Sequence, residues 1–236
     1  MLGLMQARPL LVSSIITHAA EHHRRAEVVS RLVDGSMHRT NYPEIEARAR
    51  RLARALQGLG VGPHDRVATL AWNSYRHLEL YYGVSGMGSV VHTVNPRLCA
   101  DDIAFIINDA GSVVLCADLT FAPIIEAIAP RIPAVRTVVM LAGPGEMPEV
   151  TLAPGQRLLS YEALLADAAD DFEWPLLDEN QASGLCYTSG TTGRPKGVLY
   201  SHRSTLIHAY AINMADVFGL HSRDRIMPVV PMFHVN

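Results

Sequence analysis

An α/β architecture, with mainly parallel sheets covered by helices, is expected of these 236 residues. Short apolar runs recur at 67–71, 90–94, 113–115 and 137–141. Patterns of helical periodicity, about 10–15 residues long, lie between them, and Gly or Pro punctuates the ends. Strands joined through helices must run parallel, and their crossovers then lie across the sheet faces.

The elements follow in order. The apolar stretch Pro9–Ile16, continued by His18, Glu21, His22, His23, Arg24 and Arg25, predicts an amphipathic helix too short to span a bilayer. His18 and His22 have the spacing of a helical metal pair, but no third ligand clusters with them, so a solvated face is expected. Val28–Val33, Asp34-Gly35 and Met37–Thr40 read as a hairpin. Asn41, Pro43 and the acids Glu44 and Glu46 then mark a helix start, and Ile45, Ala49, Leu52 and Leu56 form its apolar stripe. Arg48, Arg51 and Arg54 fall on the other side and are expected to face solvent. Gly58 and Gly60 end this helix, and Pro63 blocks its resumption. Further helices are expected at Ser74–Met87, at Ala100–Asp109 with Asp101 and Asp102 in the first turn, and at Phe121–Ala129, bounded by Pro130 and Pro133.

Gly143–Gly155 lacks periodicity and reads as an exposed connection. Tyr161–Ala169 predicts a helix, and Asp170–Pro175 a linker. Strands Leu185–Tyr187 and Val198–Tyr200 flank a loop rich in glycine and hydroxyls; a helix over Arg203–Phe218 and a strand over Ile226–Val230 complete the chain. Two units are expected, 1–175 and 176–236.

Composition narrows the function. Apolar residues make up 49% and charged residues 18%, with a net charge of −3, so the chain can bury a core and carries no nucleic-acid footprint. Cys99, Cys116 and Cys186 form neither a CxxC pair nor an even set, which speaks for reduced thiols in the cytoplasm.

The loop is the chemical signal. Polyphosphate binding needs inward backbone N–H groups, hydroxyl donors and a cation. Gly190, Gly193 and Gly197 supply conformational freedom, Thr188, Ser189, Thr191 and Thr192 supply hydroxyls, and Lys196 supplies a mobile charge. Pro195 stands directly before Lys196, so this is not the G-x-x-x-x-G-K-[ST] loop, and G-x-G-x-x-G is absent. By composition alone, a Ser/Thr/Gly turn between two strands remains the alternative.

The ordered string Tyr187–Val198, YTSGTTGRPKGV, resembles the phosphate-loop signature of the adenylate-forming (AMP-binding) superfamily, aromatic-Thr-Ser-Gly-Ser/Thr-Thr-Gly-x-Pro-Lys-Gly-Val. Ser201-His202-Arg203, the stretch Leu70–Leu98 and the closing MFHVN are most similar to bacterial medium- and long-chain fatty acid–CoA ligases. The resemblance implies the N-terminal portion of the large domain of an acyl-CoA synthetase-like fold. It implies ATP, Mg²⁺ and coenzyme A as ligands, and a carboxylic acid, a fatty acid above all, as substrate. Residues 188–196 would hold the β- and γ-phosphates, with Thr188, Ser189, Gly190, Thr191, Thr192, Gly193 and Lys196 as the binding residues. Thr188 would face Mg²⁺, Lys196 would act in catalysis, and His234 would lie beside the substrate carboxylate and acyl channel. A homodimer is compatible with the resemblance. The family's adenine, ribose and hinge segments and its C-terminal domain would lie past Asn236, so turnover by these residues alone is not expected. Two alternatives stay open: a non-catalytic phosphate-binding or assembly remnant, and an adenylating enzyme for an aromatic, methylthiopropionate or amino acid.

Overall fold

The computed structural model describes residues 1, 3–188 and 193–234. Helix α1 (Val12–His22) precedes a hairpin of β1 (Glu27–Arg31) and β2 (Met37–Asn41), whose turn places Gly35 at φ +88°. Helix α2 (Tyr42–Gly58) follows at once, with the Asn41 side chain accepting the Glu44 N–H at 3.0 Å. Then come β3 (Arg66–Leu70), α3 (Tyr75–Gly86), β4 (Val90–Thr93), α4 (Ala100–Asp109), β5 (Val114–Ala117), α5 (Ala122–Ile128) and β6 (Thr137–Met140). The chain continues through β7 (Arg157–Ser160), α6 (Tyr161–Ala166), β8 (Ala182–Thr188), β9 (Lys196–Ser201) and α7 (His202–Ile212).

Strands β3 to β9 form one sheet in the order β7-β6-β5-β3-β4-β8-β9. Every neighbouring pair is parallel except β8–β9. The inner strands β3 to β6 are buried on both faces, and their side chains alternate between two apolar clusters, whereas the edge strands β7 and β9 are largely exposed or half-buried. Val67, Val91, Cys116 and Val139 join Leu52 and Leu56 of α2, Leu80 and Val84 of α3, and Leu165 of α6. Ala68, Leu70, Leu115 and Val138 join Ile103 and Ile106 of α4 with Ile125 and Ile128 of α5 on the other face. The stripe Ile45, Ala49, Leu52 and Leu56 is fully buried. Each of its large side chains contributes about 1.5–3 kcal/mol by leaving water.

Several expectations need correction. Arg48 does not face solvent: its Nε donates to Glu79 at 2.7 Å and its terminal nitrogens grip Glu162 at 3.0 and 3.1 Å. The Tyr161 hydroxyl donates to Glu79 as well, at 2.7 Å, so one fully buried carboxylate joins α2, α3 and α6. Burial pushes the Glu79 carboxyl up to about 7, against the pull of Arg48 and Tyr161. Arg51 and Arg54 meet Asp170 and Asp171 at the surface, where such pairs contribute little. The connection after β6 is interrupted by a short 3₁₀ turn and ends in β7, a strand that RLLS offers with no alternation to announce it. Helix α7 stops at Ile212 rather than Phe218. The segment 226–230 is not a strand: Pro228 and Pro231 have no N–H to donate, and the Pro228 and Val230 carbonyls bond instead to the Asn73 side chain. No helix among the described residues is long and apolar enough to cross a membrane.

Candidate functional site

The strand order turns back at β3. The crossover from β3 to β4 runs through α3 on one face, and that from β4 to β5 runs through α4 on the other. The topological switch point therefore lies between the adjacent strands β3 and β5, whose crossovers leave in opposite directions, and sheets of this kind usually take ligands outside the carboxyl ends there. Residues after β3 and after β5 meet at that point. The Trp72 N–H donates to Asp118 Oδ2 at 2.7 Å, and burial raises that carboxyl to about 6.

The C-terminal segment is tied down beside this switch point, over the carboxyl ends of β3 and β4. Asn73 donates from Nδ2 to the carbonyls of Pro228 (3.1 Å) and Val230 (3.0 Å), and its Oδ1 accepts the Met232 N–H at 2.7 Å. The Tyr81 hydroxyl donates to the Met232 carbonyl, and the Thr93 hydroxyl to the Phe233 carbonyl at 3.3 Å. Phe233 is buried, edge-on to Trp72 with ring centroids 6.3 Å apart. His234 follows with its side chain exposed and its N–H donated to the Pro231 carbonyl at 3.1 Å. No sequence spacing announced the Asn73 and Tyr81 tethers, because their partners lie more than 150 residues away.

The loop lies at the same edge of the sheet. β8 runs parallel to β4, with Thr93 opposite Cys186, so Thr188 projects two residues further along. Lys196 begins β9 in register with Thr188, and both are exposed. Between them Gly193 takes φ +128°, a conformation that L side chains rarely adopt, with open space where a Cβ would stand. Ser189, Gly190, Thr191 and Thr192 lie outside the described residues. Thus Thr188, Gly193 and Lys196 share one hairpin end, and His234 reaches the same edge by a separate segment beside β3 and β4.

Tyr187 anchors the entry to the loop. Its hydroxyl donates to Asp109 Oδ2 at 2.7 Å, and its ring packs on His92 with centroids 5.4 Å apart. Burial, followed by the Asp109 carboxylate, raises the phenol well above its ordinary value. His92 is fully buried, shares a 2.8 Å bond between Nδ1 and the Ser112 hydroxyl, and is held neutral by burial, down to about 3. Beyond the loop, the Arg194 guanidinium lies 5.1 Å from the centre of the Phe105 ring.

Among the described residues, no group of three or more His, Cys, Asp or Glu could hold a metal ion. The His18 and His22 rings lie tilted against each other with centroids 4.5 Å apart. Thr188 offers one neutral oxygen at the loop, which suits Mg²⁺ when phosphate oxygens and water complete its shell.

A model of the family described as "AMP-binding enzyme" matches residues 16–236. A 3-methylmercaptopropionyl-CoA ligase of Ruegeria lacuscaerulensis is 52% identical over 236 residues, all of this chain and 43% of that protein. A medium-chain-fatty-acid–CoA ligase of Ectopseudomonas oleovorans is 50% identical over the same span, again 43% of its length. The inhibitor-bound N-terminal domain of FACL13 from Mycobacterium tuberculosis superposes with a TM-score of 0.73 at 28% identity, covering 97% of this chain and 52% of that one. The chain therefore spans less than half the length of these two curated relatives.

Proposed function

Because the chain belongs to the AMP-binding enzyme family, we propose that it forms the phosphate-binding part of an ATP-dependent acid–CoA ligase acting on fatty acids. The observation that carries the reading is Thr188 in register with Lys196 across a glycine-bearing turn at the carboxyl edge of the sheet. In the reaction, a carboxylate oxygen attacks the α-phosphorus of ATP, the bond to the bridging oxygen breaks, and pyrophosphate leaves. Coenzyme A sulfur then attacks the acyl carbon and AMP departs. The acid is already ionised at neutral pH and needs no base. What the protein supplies is position and countercharge. Residues 188–196 hold the β- and γ-phosphates, and Lys196 neutralises charge as it builds on the leaving pyrophosphate. Mg²⁺, when bound, supplies further countercharge, with Thr188 as its protein oxygen. His234, carried on the tethered segment, faces the acid.

A second reading concerns the acid. The relative at 52% identity is a 3-methylmercaptopropionyl-CoA ligase and the one at 50% a medium-chain-fatty-acid–CoA ligase, so a short thioether acid is the competing substrate. The division at 175/176 is supported by the irregular stretch between α6 and β8. Three free thiols support a cytoplasmic setting, and exposed Leu199, Tyr210, Met214 and Phe218 support a homodimer. Turnover by these 236 residues alone is not expected, since they match 43% of the relatives' length. A carboxylate-dependent ATP–pyrophosphate exchange assay checks this.

Titration calorimetry with pyrophosphate and Mg²⁺ tests the phosphate reading. Lys196→Ala removes charge-assisted hydrogen bonds and should weaken binding roughly 10- to 100-fold. Unchanged affinity would place the anion elsewhere.

A further inference from the structure

Helix α4 touches both limbs of the loop. Phe105 and Asp109 stand one turn apart on it, so their side chains share a face. Asp109 holds the Tyr187 hydroxyl at 2.7 Å, one residue before Thr188. Phe105 carries the Arg194 guanidinium at 5.1 Å, two residues before Lys196. The Tyr187 ring is held from two further sides. His92 packs on it, and at Gly197 an added Cβ would stand 3.1 Å from Tyr187 Cζ. No side chain larger than hydrogen fits there without moving the ring.

We propose that Phe105 and Asp109 of α4 are positioning residues that latch Tyr187 and Arg194, and so set the spacing of Thr188 and Lys196 before a phosphate arrives. The inference rests on the proposed phosphate role of the loop. The physical reason is entropic. Fixing each backbone residue costs about 1–2 kcal/mol, and a loop rich in glycine and hydroxyls has many conformations to lose. Holding both limbs from outside lowers the ordering that binding must otherwise supply. None of the four latch side chains needs to touch the ligand.

The test compares Tyr187→Phe, Asp109→Ala, Asp109→Asn and the double variant Tyr187→Phe/Asp109→Ala, titrated with Mg²⁺ and inorganic pyrophosphate. The latch predicts that Tyr187→Phe and Asp109→Ala each weaken binding about tenfold, with the unfolding midpoint unchanged. The double variant should be no worse than either single one, because both delete the same bond. Asp109→Asn keeps an acceptor and should retain most of the affinity. Electrostatics alone predicts the opposite sign for Asp109→Ala, since deleting a negative charge favours an anion. Tighter or unchanged binding by Asp109→Ala, or multiplying losses in the double variant, overturns the latch while leaving the loop's phosphate role standing. Amide exchange over Lys196–Val198 without ligand gives an independent readout. Faster exchange, equal in the two single variants, is expected, and none would overturn the latch. Should the wild-type chain bind no pyrophosphate, the phosphate reading fails, and the exchange measurement still decides whether α4 holds the loop.

Discussion

His202 offers a sharp test of how α1 is held. Its ring is fully buried at the start of α7, and its Nδ1 accepts the Val12 N–H at 3.2 Å. That bond requires Nδ1 to be unprotonated, so the neutral ring carries its proton on Nε2, which has no partner among the described residues. A second proton would set an N–H against the Val12 N–H and leave a buried charge. Burial accordingly lowers the histidine to about 4. The sign follows. A base with a depressed folded pKa contributes its stability above the unfolded value of 6.5, and the contribution is lost as pH falls from there toward 4. For those two values the loss is about 2 kcal/mol at pH 5 and close to nothing at pH 7.5. The perturbation is His202→Asn, whose side-chain oxygen can still accept the Val12 N–H but does not titrate. Urea unfolding followed by the fluorescence of Trp72 and Trp174 at pH 7.5 and 5 gives four stabilities. The variant starts lower, because it leaves a void. Between the two pH values it should lose about 2 kcal/mol less than the wild type. Glu179, which accepts the neighbouring Leu10 N–H at 2.8 Å, has a lowered pKa and titrates below this window. Parallel losses in the two proteins would refute the argument.

Two other outcomes follow from the packing. Arg48→Met strands the fully buried Glu79 carboxylate and should destabilise by about 3–5 kcal/mol at pH 8, less at pH 6 where the carboxyl is protonated; denaturant melts at both values check it, and Arg48→Met/Glu79→Leu should recover most of the loss. Asn73→Ala deletes three hydrogen bonds to the segment carrying His234, a local loss of about 2–3 kcal/mol. Thermolysin should then cut within 226–233 at least tenfold faster, with the global unfolding midpoint unchanged.

The alternation of strands and helices was legible because it is a local property. Buried parallel strands read as short apolar runs, and Asn41 and Ser74 announced helix starts that the structure caps as expected. Signals failed where tertiary contacts override local preference. RLLS becomes β7 by adding to the open edge of β6, and the apolar run near Ile226 stays irregular because Asn73 takes its carbonyls.

The amino-acid order alone determined the α/β layering, the three cysteines without paired spacing and the string from Tyr187 to Val198 that points to a phosphate loop. Folding decided which distant groups meet: Arg48 with Glu79, Tyr187 with Asp109, Asn73 with 228–232, Val12 with His202, at separations from 31 to 190 residues. Periodicity reports which face of an element leaves water. It carries no information about the partner on the far side, and the partner sets a buried group's charge and a tethered segment's position.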